Sequence, residues 1–281
     1  MRALIFGANG QDGGLLSKLY EGCVCLSHSD CDVSDYETTS TVIKRHKPDV
    51  IFNLAARSTT RHAALFDNHK AIAMGALNVL EAVKVHSPHS KVFIAGSGLQ
   101  FRNDHRPIHE RDPFEARDSY SAARIYAAYL ARYYRTLGIK TYVGYLFHHE
   151  SGRRQASSVS QLVLNAARRI AQGSTEKLEI GNLGVFKEWS YAGDVVKGIK
   201  MLVEQEEVME AVIGSGVGYT IEEWVRLCFE HFHLNYKDHV ITTATFKPEY
   251  VYLISNPTTM NGLDWKCEVD LQGLLKCILQ P

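Results

Sequence analysis

Tyr120 and Arg124 stand one helical turn apart in the stretch "DSYSAARIYAAYLA" (118–131). A phenol titrates near pH 10 and exchanges protons poorly at neutral pH unless a neighbouring cation stabilises its phenolate. Side chains at i and i+4 share one helix face, so the Arg124 guanidinium can supply that charge. The pair reads as an acid–base group with its support, or, more plainly, as the first turn of a buried helix. A second chemical signal opens the chain. "FGANGQDGG" sets Gly7, Gly10 and Gly13 at G-x-x-G-x-x-G between an apparent strand and an apparent helix. Glycine there lets backbone N–H groups approach a pyrophosphate, where a Cβ would obstruct. Gly7, Asn9, Gly10, Gln11, Asp12 and Gly13 are therefore expected to hold a dinucleotide.

Elements must position these residues. Apolar runs at 3–7, 23–27, 49–56, 91–97 and 140–147 read as strands, and their unbroken apolar character suits a parallel sheet covered on both faces. Helix-compatible spacing lies between them at 13–21, 36–46, 69–86 and 120–136. This alternation predicts an α/β doubly wound parallel sheet. Beyond residue 148 the rhythm loosens, with a helix at 159–172 and shorter elements after it. The expected organisation is a dinucleotide-binding domain over 1–147 and a smaller substrate lobe over 148–281, partly interleaved with the first.

The second strand ends "LSHSDCDVSD" with no acid at its tip. Ser27, His28 and Ser29 can donate to a 2′-phosphate, so NADP is the expected cofactor, with NAD possible. Asp32, followed by Val33, is placed at the adenine, with an N-cap as its plainer role.

Composition narrows the partners. The 281 residues carry 31 Lys and Arg against 31 Asp and Glu, which argues against nucleic acid or an anionic membrane as the main partner. No apolar run reaches the roughly 20 residues of a membrane span, and "MRALIFGANG" runs straight into a strand with no signal-peptide pattern. A cytoplasmic location is expected. The six cysteines show no C-x-x-C spacing; Cys23 and Cys25 share a strand face and read as small buried hydrophobes. The thirteen histidines lack a ligand framework, so no metal site is expected.

Taken together, the glycine loop, "NLAA" (53–56), "AGS" (95–97), the tyrosine helix and "LDW" (263–265) resemble the extended short-chain dehydrogenase/reductases, which carry Y-x-x-x-K and an upstream Ser or Thr. "GANGQDG" (7–13), "AMGALNVLEA" (73–82), "YLFHHESGRR" (145–154), "IAQG" (170–173) and "IGNL" (180–183) resemble GDP-mannose 4,6-dehydratase and related GDP-sugar enzymes. The resemblance implies that Ser97, Tyr120 and Arg124 are catalytic. It adds Leu54, Ala55, Ala56, Tyr120 and Arg124 to the cofactor contacts, and His148, Glu150, Arg153, Arg154 and Lys187 to the substrate contacts. Arg153 and Arg154 suit phosphate oxygens, or else form a solvated basic loop.

The departures matter. "AGSGLQFR" stands where the family has "ASTSELYG", so the glutamate that removes the C5 proton becomes Leu99 and the following tyrosine becomes Phe101. The family's Lys is Arg124, and its Asp or Asn before Gly75 is Ile72. Leucine cannot abstract a proton. The expected reaction is therefore hydride exchange at C4, as reduction of a GDP-linked 4-keto sugar. A 4,6-dehydratase-type lyase whose base comes from elsewhere, with Asp104 and Glu110 in view, is the first alternative. A non-catalytic paralogue is the second. Apolar residues all round the tyrosine helix predict a homodimer, or a dimer of dimers, built partly on it.

Overall fold

The computed structural model describes residues 1–243 and 248–280. Its centre is a parallel sheet of β1 (Ala3–Phe6), β2 (Val24–Leu26), β3 (Val50–Asn53), β4 (Lys91–Ser97), β5 (Thr141–Leu146) and a sixth strand, Glu210–Ile213. The order across the sheet is sixth strand, β5, β4, β3, β1, β2. From β1 the chain adds β2 on one side and then β3 on the other. This reversal opens a crevice at the carboxyl ends of β1 and β3, where ligands of such sheets bind.

Strand alternation divides the core into two layers. Leu4 and Phe6 pack with α2 (Tyr36–His46) and the helices Gly75–His86 and Ser119–Thr136. Ala3 and Ile5 face α1 (Gln11–Leu16) and the helix Ala192–Glu204. Each fully buried aliphatic or aromatic side chain contributes about 1.5–3 kcal/mol. A third cluster is built from the second half of the chain. There Trp189 stacks on Trp224 at 5.1 Å among the helices Val159–Ala171, Ile221–His231 and Leu271–Leu279. The sixth strand and its preceding helix come from the second half of the chain yet complete the first lobe's sheet.

Several elements differ from their sequence pattern. The first helix starts at Gln11, earlier than residue 13, because Gly14 N–H closes the first turn on Gly10 C=O at 3.0 Å. It gives way after Leu16 to a 3₁₀ turn, Ser17–Leu19. The 69–86 helix begins as a π-helical turn, His69–Met74. β3 stops at Asn53, and Leu54 leaves the sheet after one last bond to Phe6 C=O. The strand at 210–213 is not among the expected apolar runs, because "EAVI" is too short to show a period.

Cys23 and Cys25 do share a face, with their sulfurs 3.3 Å apart, but Cys25 is exposed and Cys23 only half-buried. β2 is an edge strand, so part of it lies open. Among the described residues no helix is long and apolar enough to cross a membrane. None of them forms a cluster of three or more His, Cys, Asp or Glu suited to a metal.

Candidate active site

The glycine loop needs its glycines. Gly7 adopts φ +81°, and a Cβ there would come within 2.9 Å of Ala55 N. At Gly13 a Cβ would lie 2.5 Å from Gly7 O. The loop is pinned from beside it: Gly7 and Ala8 N–H both donate to Leu26 C=O, at 3.0 and 3.1 Å. Leu54 and Ala55 form its opposite wall, with Ala56 following at the rim. Asn9 and Gly10 are exposed at the turn, Gly10 being the helix N-cap.

Gln11 and Asp12 spend their side chains elsewhere. Gln11 Nε2 donates to His149 C=O at 3.2 Å and its Oε1 accepts from Ser151 Oγ at 2.9 Å. The Asp12 carboxylate lies 2.8 Å from His149 Nε2. Burial opposes ionisation of Asp12, but the charge and hydrogen bond of His149 outweigh it and hold the carboxyl below its usual range. These side chains fasten the glycine loop to the segment that follows β5.

At the tip of β2 the turn folds an acid back that the linear sequence hid. Asp30 accepts from Ser27 Oγ at 2.6 Å and from Ser27 N–H at 2.9 Å, and these bonds hold its carboxyl below the usual range. Ser27 is thus engaged, its Oγ also meeting Ser29 Oγ at 2.8 Å. His28 is exposed, 3.8 Å from Asp32. Asp32 accepts from Ser34 N–H at 2.9 Å, closing a turn. Val33 is a core residue: it packs against Gly75, and its carbonyl accepts from Asn78 Nδ2 at 2.9 Å.

Ser97 ends β4, buried, with Oγ accepting Leu99 N–H at 3.2 Å and so capping the 3₁₀ turn Gly98–Gln100. Tyr120 sits half-buried in the first turn of its helix, which Asp118 caps by accepting Ser121 N–H at 2.8 Å. Arg124, one turn on, places its guanidinium 5.1 Å over the Tyr120 ring. Its Nη1 donates to Ala95 C=O, two residues before Ser97 on the same strand. Tyr120, Arg124 and Ser97 are therefore held by one helix–strand contact. Arg124 is only 6% exposed, and among the described residues its Nε has no partner. A buried cation with an orphaned donor calls for an acceptor or anion from outside the chain. With the glycine cradle, this fits a nicotinamide dinucleotide lying from the loop towards Tyr120.

The substrate candidates divide. His148 Nδ1 faces Glu188 C=O at 2.7 Å, while its Nε2 meets Lys187 Nζ at 3.0 Å and Glu150 Oε1 at 2.9 Å. Arg154 Nε lies 3.6 Å from Glu150, and Ser160 Oγ donates to that carboxylate at 2.6 Å. Burial and the neighbouring Lys187 charge push His148 down to about 4. Burial likewise lowers Lys187 to about 8. For Glu150 burial acts upward, but His148, Arg154 and Ser160 outweigh it and hold the carboxyl at about 2. Lys187 and Glu150 are buried in this network and His148 is partly so, which leaves Arg154 as its more exposed cation. Arg153 lies apart, its guanidinium packed on Gly14 of α1, where a Cβ would come within 2.5 Å.

Leu99 lines a pocket of about 200 Å³ with Gly98, Asp118, Tyr250, Thr60 and Glu249. Neither carboxylate expected to reach it does so. Asp104 pairs with Arg102 at 3.0 Å on the surface. Glu110 accepts Val212 N–H at 3.2 Å and bonds Thr259, because the 102–114 loop turns towards the sixth strand. That places Glu110 in a separate groove of about 630 Å³ with Arg132 and Glu210. Two carboxylates do line the Leu99 pocket: Asp118, which caps the tyrosine helix, and Glu249, which accepts from Thr60 Oγ1. Nothing local in "KPEYVYL" signals it, since Thr60 is 189 residues away.

A doubly wound sheet with a glycine loop at the switch point, and a tyrosine with its cation beside a strand-end serine, define an extended short-chain dehydrogenase/reductase. Solved structures share this fold. A dTDP-glucose 4,6-dehydratase from Bacillus anthracis in complex with NAD superposes with a TM-score of 0.85 at 19% identity, covering 99% of this chain and 96% of that one. "RMD" from Pseudomonas aeruginosa complexed with NADPH gives 0.85 at 20% identity, covering 99% and 98%. The chain belongs to the GDP-mannose 4,6-dehydratase family, whose model matches residues 24–278. GDP-mannose 4,6 dehydratase 2 of Arabidopsis thaliana is 31% identical over an alignment 318 positions long, gaps included, covering 99% of this chain and 85% of the relative.

Proposed function

We propose that the protein holds a nicotinamide dinucleotide in the glycine loop and acts at C4 of a GDP-linked hexose, with 4,6-dehydration as the overall reaction. What carries this reading is the Tyr120–Arg124 stack beside Ser97 in a chain whose matched relatives are dehydratases. When bound, the nicotinamide supplies hydride acceptance and return. Tyr120 takes and gives the proton at the C4 oxygen, Ser97 Oγ donates to that oxygen, and Arg124 stabilises the phenolate through the ring. Arg154 meets the diphosphate from the rim of the buried network.

Leu99 favours a second reading, a C4 ketoreductase, because the expected C5 base is missing there. Incubation with GDP-mannose in deuterium oxide separates the two. Loss of water with deuterium at C5 establishes the lyase. Unchanged GDP-mannose, with NADPH or NADH consumed on a 4-keto sugar nucleotide, establishes the reductase. No chemistry with either, despite cofactor binding, marks a non-catalytic paralogue.

The cofactor choice turns on Asp30. A carboxylate at the tip of β2 suits the 2′-hydroxyl of NAD and repels the 2′-phosphate of NADP, which reverses the preference drawn from "LSHS". NADH is expected to bind about tenfold more tightly than NADPH, roughly 1.4 kcal/mol, and Asp30→Ser to narrow that gap. Tighter NADPH binding by the unaltered protein would refute it in a single titration.

The tyrosine helix presents Tyr126, Tyr129 and Tyr133 to solvent, Tyr133 at 57% exposure, while Ala123, Ala127 and Ala131 are buried. Three aromatics along one uncovered face suit a second copy of the chain. Light scattering is expected to show a homodimer or a dimer of dimers, and Tyr129→Glu with Tyr133→Glu to shift it towards monomer. A monomeric unaltered protein at micromolar concentration would sink this expectation.

A further inference from the structure

The pocket beside Leu99 contains two carboxylates, and only one is free to act. Asp118 is committed to capping the tyrosine helix through Ser121 N–H at 2.8 Å. Glu249 comes from the second lobe, is exposed, and meets Thr60 Oγ1 of the first lobe, so the pair spans the two sides of the pocket. Leu99 and Tyr250 give the same pocket apolar walls. A cavity of about 200 Å³ keeps Glu249 close to whatever ring lies over Leu99. Gly98 and Leu99 follow Ser97 directly and Asp118 stands two residues before Tyr120, so the pocket adjoins both groups placed at the C4 oxygen.

We propose that Glu249 is the base that removes the C5 proton from a bound 4-keto hexose, replacing from the second lobe the carboxylate that Leu99 displaced. This rests on the sugar-nucleotide reading above. The C5–H bond breaks and the proton passes to a Glu249 carboxylate oxygen. The electron pair enters the C4–C5 bond as an enolate, with its charge on the C4 oxygen beside Ser97 and Tyr120. Reversal returns a solvent-derived proton to C5. Thr60 Oγ–H holds the carboxylate in position without neutralising it.

Exchange at C5 needs only a ketone and a base, so it can be read apart from turnover. The 4-keto-6-deoxy GDP-hexose is incubated with the protein in deuterium oxide, proton NMR follows loss of the C5 signal, and calorimetry measures binding of the same compound. The unaltered protein is expected to accelerate exchange over buffer. Glu249→Gln should slow it by roughly 10²–10⁴, the scale of a general base, with affinity nearly unchanged, and Glu249→Asp should recover part of the rate. Glu249 is exposed and among the described residues its side chain bonds Thr60 alone, so these variants should fold. Equal exchange by Glu249→Gln and the unaltered protein would overturn the assignment and leave the substrate reading intact. Binding without exchange by the unaltered protein would overturn it in favour of the ketoreductase. Absence of binding would bring down the substrate reading and this assignment together.

Discussion

Tyr120→Phe is expected to lower turnover by roughly 10²–10⁴ while dinucleotide affinity stays within about twofold, because the change removes one hydroxyl and no packing. The Tyr120 ring remains to cover the Arg124 guanidinium at 5.1 Å, so the helix and its bond to Ala95 C=O should survive. A companion pair of variants separates catalysis from architecture. Arg124→Lys keeps a cation one turn from the phenol, whereas Arg124→Ala leaves a cavity and an unpaired Ala95 carbonyl. If the charge supports the phenolate, the lysine variant retains far more activity, and the rate-against-pH profile of the alanine variant shifts to higher pH. Equal rates and superimposable profiles in the two would make Arg124 a packing residue only.

Glu150→Gln is expected to cost about 3 kcal/mol at pH 7, the scale of breaking a buried ion pair and of a carboxyl held at about 2 instead of near 4.5. The change leaves Lys187 and Arg154 without their countercharge in a site where Glu150 is 1% exposed. For a chain of this size that is a fall in Tm of roughly 6–12 °C. The pH dependence has a definite sign. The folded carboxyl is more acidic than the unfolded one, so its contribution is complete above about 4.5 and disappears as pH falls towards about 2. The gap between variant and parent in a thermal melt should therefore close on acidification. Adding Lys187→Met to the variant should recover part of the loss, because the stranded cation goes with it. A gap as large at pH 2 as at pH 7, or no recovery in the double variant, would show that the network is not what Glu150 stabilises.

Much of this protein is legible along the chain because its signals are local. Gly7 and Gly13 are required by backbone clashes within a few residues of themselves or with the adjoining strand, and the pattern G-x-x-G-x-x-G records that need. Five strands of the central sheet announce themselves as apolar runs, and all but the edge strand β2 are covered on both faces. Tyr120 and Arg124 are linked by the period of a single helix, and the structure keeps them stacked. Other features depend on contacts between segments far apart in sequence. The sixth strand is too short to declare itself and becomes a strand only by pairing with β5. Asp30 reads as a loop acid until the turn folds it onto Ser27. Lys187, His148 and Glu150 look like three open ligands for a substrate, but the second lobe closes around them and turns them into one another's partners. Thr60 and Glu249 meet across 189 residues, where no periodicity can carry information. The sequence determined the fold class and the tyrosine with its cation, because a strand's burial, a helix's pitch and a glycine's missing Cβ act over a few residues. Which carboxylates face the pocket, and which cations remain free, was decided only when the two lobes packed together.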